Sequence, residues 1–306
     1  MTDTSDTDQT GFESRSTPKT RVNPPKNREH SARENSLADS PSQTSLTGIQ
    51  NRIAHGTGTV HRRDDGHVAW LVIENVARAN SLSSGVVQAL RTHLLEAGRD
   101  EQVRCIVIAS EGATFSAGAD LATLEDSARE LLELDVFGLF ELIERVERPV
   151  IASVQGAALG GGFELCLVAD LVVAADGATF GLPETRLGLA PGIALIRLPQ
   201  LVGRHRSKEI ALTDRRWTAA EGLDLGFVNR VVPASELTRA TRRLAEEVAG
   251  RAPLAVRLVK RGCNHPLGGP DWTLVREGMG RLFVSEDLGR GLAAFRDRND
   301  PDFEGR

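Results

Sequence analysis

Five short apolar runs set the terms for any fold of this chain: Ala69–Ile73 (AWLVI), Cys105–Ala109 (CIVIA), Val150–Val154 (VIASV), Leu171–Ala175 (LVVAA) and Val228–Val232 (VNRVV). Each is nearly continuous in apolar or β-branched character, the mark of strands covered on both faces. Helical stretches lie between them. Val86, Leu90, Leu94 and Ala97 form an i, i+4, i+8, i+11 stripe, with Ser83 or Ser84 as the expected cap. Thr218 and Glu221 have the spacing of a capping box, ahead of a helix that should end near Gly226. Beyond residue 234 the strand signal stops and helical patterns dominate. Strands alternating with helices, then helices alone, predict an α/β core with a helical appendix.

Before the first run the composition is different. Residues 1–50 hold only eight apolar side chains, are rich in Ser and Thr, and carry six basic against seven acidic groups. Such a segment cannot bury enough surface to offset its ordering entropy, so disorder is expected. The resulting division is a disordered tail over 1–52, a catalytic core over 53–250 and a C-terminal helical region over 251–306. With 306 residues, 40% of them apolar and 26% charged, the rest of the chain can build an ordinary hydrophobic core. A formal charge of -5 argues against non-specific attraction to nucleic acid or anionic membrane. No apolar window is long enough to span a bilayer. The acidic opening MTDTSDTDQT fits neither a secretory signal nor a transit peptide, so a cytoplasmic location is expected. Cys105, Cys166 and Cys263 are widely spaced, and the seven histidines show no metal-ligand spacing; no disulfide framework and no metal are expected.

Chemistry-bearing residues concentrate in two windows. One is Phe115-Ser116-Ala117-Gly118-Ala119-Asp120-Leu121, after a strand and a turn. The other runs from Arg148 to Gly192, where the strand Val150–Val154 leads through Gly156 to the triplet Gly160–Gly162 and an apolar helix. Glycines at a helix start let the backbone approach a ligand and leave amides pointing outward, where the helix dipole favours negative charge. That can stabilise an oxyanion or cradle a phosphate, or it can simply be tight packing. Neither a Walker pattern nor GxGxxG supports the phosphate reading. Glu164 stands in the apolar run Phe163–Ala169, where a buried carboxylate needs a partner or a role unless it faces solvent. Glu184 follows Pro183, and alone would pass as a cap or loop residue.

Together these windows resemble the enoyl-CoA hydratase/isomerase (crotonase) family over residues 60 to 306. ARANSL (77–82), FSAGADL (115–121), RPVIASVQGAALGGGFEL (148–165), FGLPETRLGLAPG (180–192), LVGR (201–204) and GFVNRVVP (226–233) occur in family order, and DPDFEGR (300–306) is similar to the family's ending. The resemblance implies a spiral of ββα superhelical turns, with a C-terminal helical region that builds a homotrimer or a dimer of trimers. It implies an acyl-CoA thioester substrate, with coenzyme A entering as part of that substrate and no separate cofactor. The amides of Ala119 and Gly161 would hold the thioester oxygen. Glu164 would activate water, Glu184 would protonate C2, and the Gly192 amide would help hold the water. CoA contacts would come from the backbone of Arg78, Ala79 and Asn80 and of Ala117, Gly118 and Ala119, with Asp120, Leu121 and Gly160 alongside. Arg298 stands where many members carry a lysine that reaches the CoA phosphates.

Three departures from the family pattern stand out. Ile193-Ala194-Leu195-Ile196-Arg197 replaces a glycine-rich run and is bulkier and one residue shorter, which leaves the shape of the acyl pocket open. Ala122 stands where a lysine is frequent, and Val76 where a proline is usual. Retention of both glutamates points to hydration of a 2-enoyl-CoA. The competing readings are an enoyl-CoA isomerase, a decarboxylase or hydrolase on the same scaffold, and a non-enzymatic scaffold or RNA-binding relative; the acidic charge disfavours the last.

Overall fold

The computed structural model describes residues 58–119, 136–187, 189–264, 281, 284–297 and 299–306. The predicted tail and four of the named positions, Asp120, Leu121, Ala122 and Arg298, lie outside the described residues.

Four of the five apolar runs are strands throughout, and the fifth is strand over Arg230–Val232. The larger sheet comprises β1 (Thr59–Asp65), β2 (Val68–Glu74), β3 (Cys105–Ser110), β4 (Val150–Val154), β6 (Leu171–Ala175) and β9 (Arg230–Val232), in the order β1-β2-β3-β4-β6-β9. β1 is antiparallel to β2, and every other pairing in this sheet is parallel. The continuous apolar runs follow from burial on both faces. Ala69, Leu71, Ile73, Ile106 and Ile108 join one core; Val68, Trp70, Cys105, Val107 and Val173 join a second on the other side. Against the first core pack α1 (Ser84–Arg99) and α2 (Val136–Arg145); against the second packs α6 (Leu237–Ala249). The predicted stripe of α1 is wholly buried, and Ser83 is its cap, its hydroxyl accepting from the amide of Val86.

A second sheet of three very short strands was not expected from the apolar pattern. β5 (Ala157–Leu159) pairs in parallel with β7 (Thr179–Gly181), which pairs antiparallel with β8 (Trp217–Thr218). β5 leads into α3 (Gly161–Val168) and β7 leads towards Glu184. The rings of Phe163 on α3, Phe180 on β7 and Phe227 pack with centroids 5.0–5.3 Å apart, joining helix and small sheet through one buried aromatic cluster. The remaining helices are α4 (Ala194–Leu212), kinked at Gly203, α5 (Ala219–Leu225), α7 (Pro253–Cys263) and α8 (Glu286–Asp297). Thr218 and Glu221 form the expected capping box at the start of α5, and Gly226 closes that helix in a left-handed conformation.

The chain end folds back on the core. Asp287 of α8 is 2% exposed, and its carboxylate accepts from the amides of Glu304 and Gly305, while the Arg104 guanidinium donates to the Phe303 carbonyl. Lys260 of α7 is buried too. Its ammonium pairs with Asp170 at 2.8 Å and donates to the carbonyls of Ile143 and Arg148, which satisfies a charge that would otherwise be costly inside the protein.

Candidate active site

Two loops meet beyond the C-terminal ends of β3 and β4. The first holds residues 115–119. Its backbone pairs on one side with Leu82 and on the other with Ala158. Asn80 fastens it from below: its Oδ1 accepts from the Asn75 amide, and its Nδ2 donates to the carbonyls of Glu111 and Thr114. The second loop is the turn from β5 into α3. Gly160 caps α3 with a φ of 51°, a left-handed value that a side chain would strain. Gly118 marks the point of closest approach, because a Cβ there would come within 2.9 Å of the Gly161 nitrogen and 2.6 Å of the Leu159 carbonyl oxygen.

This contact brings two amides together. The nitrogen of Ala119 lies 3.7 Å from where a Cβ of Gly161 would stand. Among the described residues neither the Ala119 nor the Gly161 amide has an acceptor, and both residues line one cavity of about 150 Å³. The Gly161 amide is also the first of α3, where the helix dipole adds partial positive charge. Such a pair of free donors suits an oxygen that gains negative charge during reaction.

Two carboxylates reach the same cavity. Glu164 lies on α3, whose residues from Gly162 to Val168 are all buried. It is 5% exposed, so it does not face solvent, and its partner is the start of α4: the Ala194 amide donates to Oε1 at 3.0 Å. Burial raises its pKa, while the amides of Ala194, Gly192 and Ile193 oppose that rise. Glu184 opens a short 3-10 turn (Glu184–Leu187) after β7. Its Oε2 is buried with no hydrogen-bond partner, and its Oε1 sits beside Gly160, where a Cβ would come within 2.8 Å. Burial, opposed by its own backbone amide and reinforced by the charge of Glu164, pushes the pKa of Glu184 up to about 7. The two groups therefore differ in kind. One carboxylate rests on a helix N-terminus, which favours the ionised form; the other has one oxygen without a donor and holds its proton near neutrality.

The cavity is also lined by Ala117, Gly160 and Gly192, and by apolar side chains of Leu82, Val136, Phe137, Phe140 and Leu189. Phe137 lies against Gly192, where a Cβ would come within 2.2 Å of its ring. Arg78, Ala79, Asn80 and Gly118 do not line it. Arg78 ends a 3-10 turn, Ala79 and Asn80 take left-handed conformations, and the Asn80 side chain is fully used in fastening the loops. None of Ile193, Ala194, Leu195, Ile196 and Arg197 lines the cavity. These residues start α4, Leu195 and Ile196 are more than half exposed, and Arg197 forms a two-pronged ion pair with Glu144 on α2. What the segment does supply is the Ala194 amide on Glu164, a contact unforeseen because it depends on where α4 begins.

The comparisons with known proteins agree with this geometry. The sequence profile of the enoyl-CoA hydratase/isomerase family matches residues 63–306. The chain belongs to that family. A crotonyl-CoA hydratase of Syntrophomonas wolfei is 34% identical over 77% of the chain and 94% of that protein. A carnitinyl-CoA dehydratase of Salmonella heidelberg is 33% identical over 81% of the chain and 99% of its own length. The crystal structure of an enoyl-CoA hydratase from Bacillus anthracis superposes with a TM-score of 0.77 at 32% identity, over 81% of this chain and 100% of that one. The crotonase-type spiral fold expected from the sequence is thus shown. In this enoyl-CoA hydratase/isomerase relative no described helix is long and apolar enough to cross a membrane.

Proposed function

We propose that the protein adds water across the double bond of a 2-enoyl-CoA, giving a 3-hydroxyacyl-CoA, and catalyses the reverse elimination. The observation that carries this reading is the pairing of two unlike carboxylates with two free amides on one cavity. In the forward direction Glu164, ionised against the start of α4, takes a proton from water as the water oxygen attacks C3. The electron pair of the C2–C3 double bond moves towards the thioester, and the enolate oxygen is held by the amides of Ala119 and Gly161. Glu184 then gives its proton to C2. Because the negative charge on that oxygen exists only along the reaction path, the amides stabilise the transition state more than the substrate. The Gly192 amide would help hold the water. Coenzyme A would lie along the backbone of residues 78–80 and 117–121, with Arg298 available to its phosphates.

We further propose a homotrimer or dimer of trimers built through residues 251–306; Val259 and Val284, 64% and 85% exposed, supply apolar surface for such contacts. The three cysteines are free thiols, as suits the reducing cytoplasm.

The test is kinetic. Glu164→Gln and Glu184→Gln should each lower turnover of crotonyl-CoA by about 10²- to 10⁴-fold, the usual contribution of a general acid or base, while crotonyl-CoA binding is retained. Full hydration activity in both variants would sink the assignment. Isomerisation of a 3-enoyl-CoA that needs Glu184 but not Glu164 would replace it with the isomerase reading.

A further inference from the structure

A second cavity, of about 360 Å³, lies at the other end of the large sheet. β3 and β4 run in parallel, and the candidate active site follows their C-terminal ends. Arg104 and Pro149, which immediately precede these strands, line the second cavity. The first turn of α7 and the chain end, Glu304 to Arg306, close its sides.

Five arginines line this cavity, Arg104, Arg148, Arg251, Arg257 and Arg306, against three carboxylates, Glu101, Glu147 and Glu304. Two of those carboxylates are already engaged. Glu147 faces Arg257 at 3.4 Å, and Glu304 pairs with Arg290 and Arg306. Arg251 reaches Glu247 at 3.4 Å. Among the described residues Arg104 and Arg148 have only carbonyl partners, Phe303 and Asp100. Arg148 is 6% exposed, and its Nε is buried with no acceptor; the Nε of Arg257 is buried and unmatched as well. Burial and the charge of Arg257 push the pKa of Arg148 down, with the carboxylates of Glu147, Asp100 and Glu101 acting more weakly the other way. A guanidinium does not give up its proton inside a protein, so the charge persists. Glu147, Asp100 and Glu101 act on this charge, but among the described residues no carboxylate bonds Arg148 directly, which leaves its guanidinium with capacity for an anion.

We propose that this cavity binds a small phosphate-bearing molecule, its phosphate seated between Arg148 and Arg257 with Arg104 at the edge. Guanidinium forks match phosphate oxygens two at a time, and a tetrahedral dianion can serve several forks together. The volume exceeds that of a bare oxyanion and falls in the range of small-molecule pockets. This site is separate from the acyl-CoA cavity and does not depend on the reaction proposed above.

The test is titration calorimetry on the full chain with inorganic phosphate and with adenosine monophosphate, at ionic strength held constant with sodium chloride. Saturable binding that weakens at least tenfold in Arg148→Gln and in Arg257→Gln upholds the proposal. Tighter binding of the nucleotide identifies a phosphate ester as the ligand, and equal affinity identifies free phosphate. If Arg148→Gln does not fold, Arg104→Gln, at the cavity edge, gives the same reading. No saturable binding of either probe overturns the proposal, as does binding unchanged in the variants. It also falls if Arg257→Glu splits an oligomer while the parent protein binds neither probe, because a neighbouring subunit would then supply the counter-charge.

Discussion

The two sheets of this molecule are stabilised in different ways. The larger one is buried on both faces between two apolar cores, and its strands pair over three to seven residues. The smaller one has strands of two or three residues and depends on what packs around it, chiefly the Phe163–Phe180–Phe227 cluster. Yet the smaller sheet carries Gly160 and leads to Glu184, while the larger supplies the platform. Stability and chemistry are thus divided between regions: a truncation in one should unfold the protein, and a truncation in the other should also disable it.

The sharpest way to break this contrast is to truncate one side chain on each side. Phe163→Ala should cost about 3–5 kcal/mol in urea unfolding, the usual range for a buried Phe. It should also lower turnover at temperatures where the variant remains folded, because α3 carries both Gly161 and Glu164. Leu244→Ala, on α6 behind the large sheet, should cost about 2–5 kcal/mol and leave turnover per folded molecule unchanged. Equal kinetic effects in the two variants would erase the distinction.

A smaller effect concerns Glu184 and pH. Its folded-state pKa of about 7 lies above the unfolded value of 4.5. The folded state therefore binds more protons between those values, and stability falls as pH rises through that window. Relative to Glu184→Gln, the parent protein should lose thermal stability from about pH 4.5 to about pH 7 and then level off. A difference independent of pH would mean that the carboxyl is not held protonated by its surroundings. The smallest effect belongs to the capping box beside the small sheet: Thr218→Ala should cost about 1 kcal/mol, with turnover little changed.

Legibility in the sequence follows the same division. Strands of the larger sheet announce themselves because burial on both faces demands unbroken apolar runs, and the Ser83 cap and Thr218–Glu221 box are local signals needing no tertiary context. β5, β7 and β8 are too short to show any periodicity, and β1 (TVHRRDD) is a polar edge strand whose charges, with His61 facing Glu74 and Arg62 facing Asp64, hide its apolar minority. At the candidate site Glu164 was conspicuous as an acid in an apolar helix, whereas Glu184 stood out only beside its neighbours. What Ile193–Arg197 does was not legible, because side-chain bulk says nothing about direction: Leu195 and Ile196 point outward, while Ala194 is buried and Ile193 packs on the core. The arginines of the second cavity are scattered from 104 to 306, and only folding gathers them.

The buried carboxylate of Asp287 has one more implication. Its two amide donors belong to Glu304 and Gly305, which also wall the arginine-lined hollow, so deleting these two residues would strand an anion in the interior and open the hollow at one stroke.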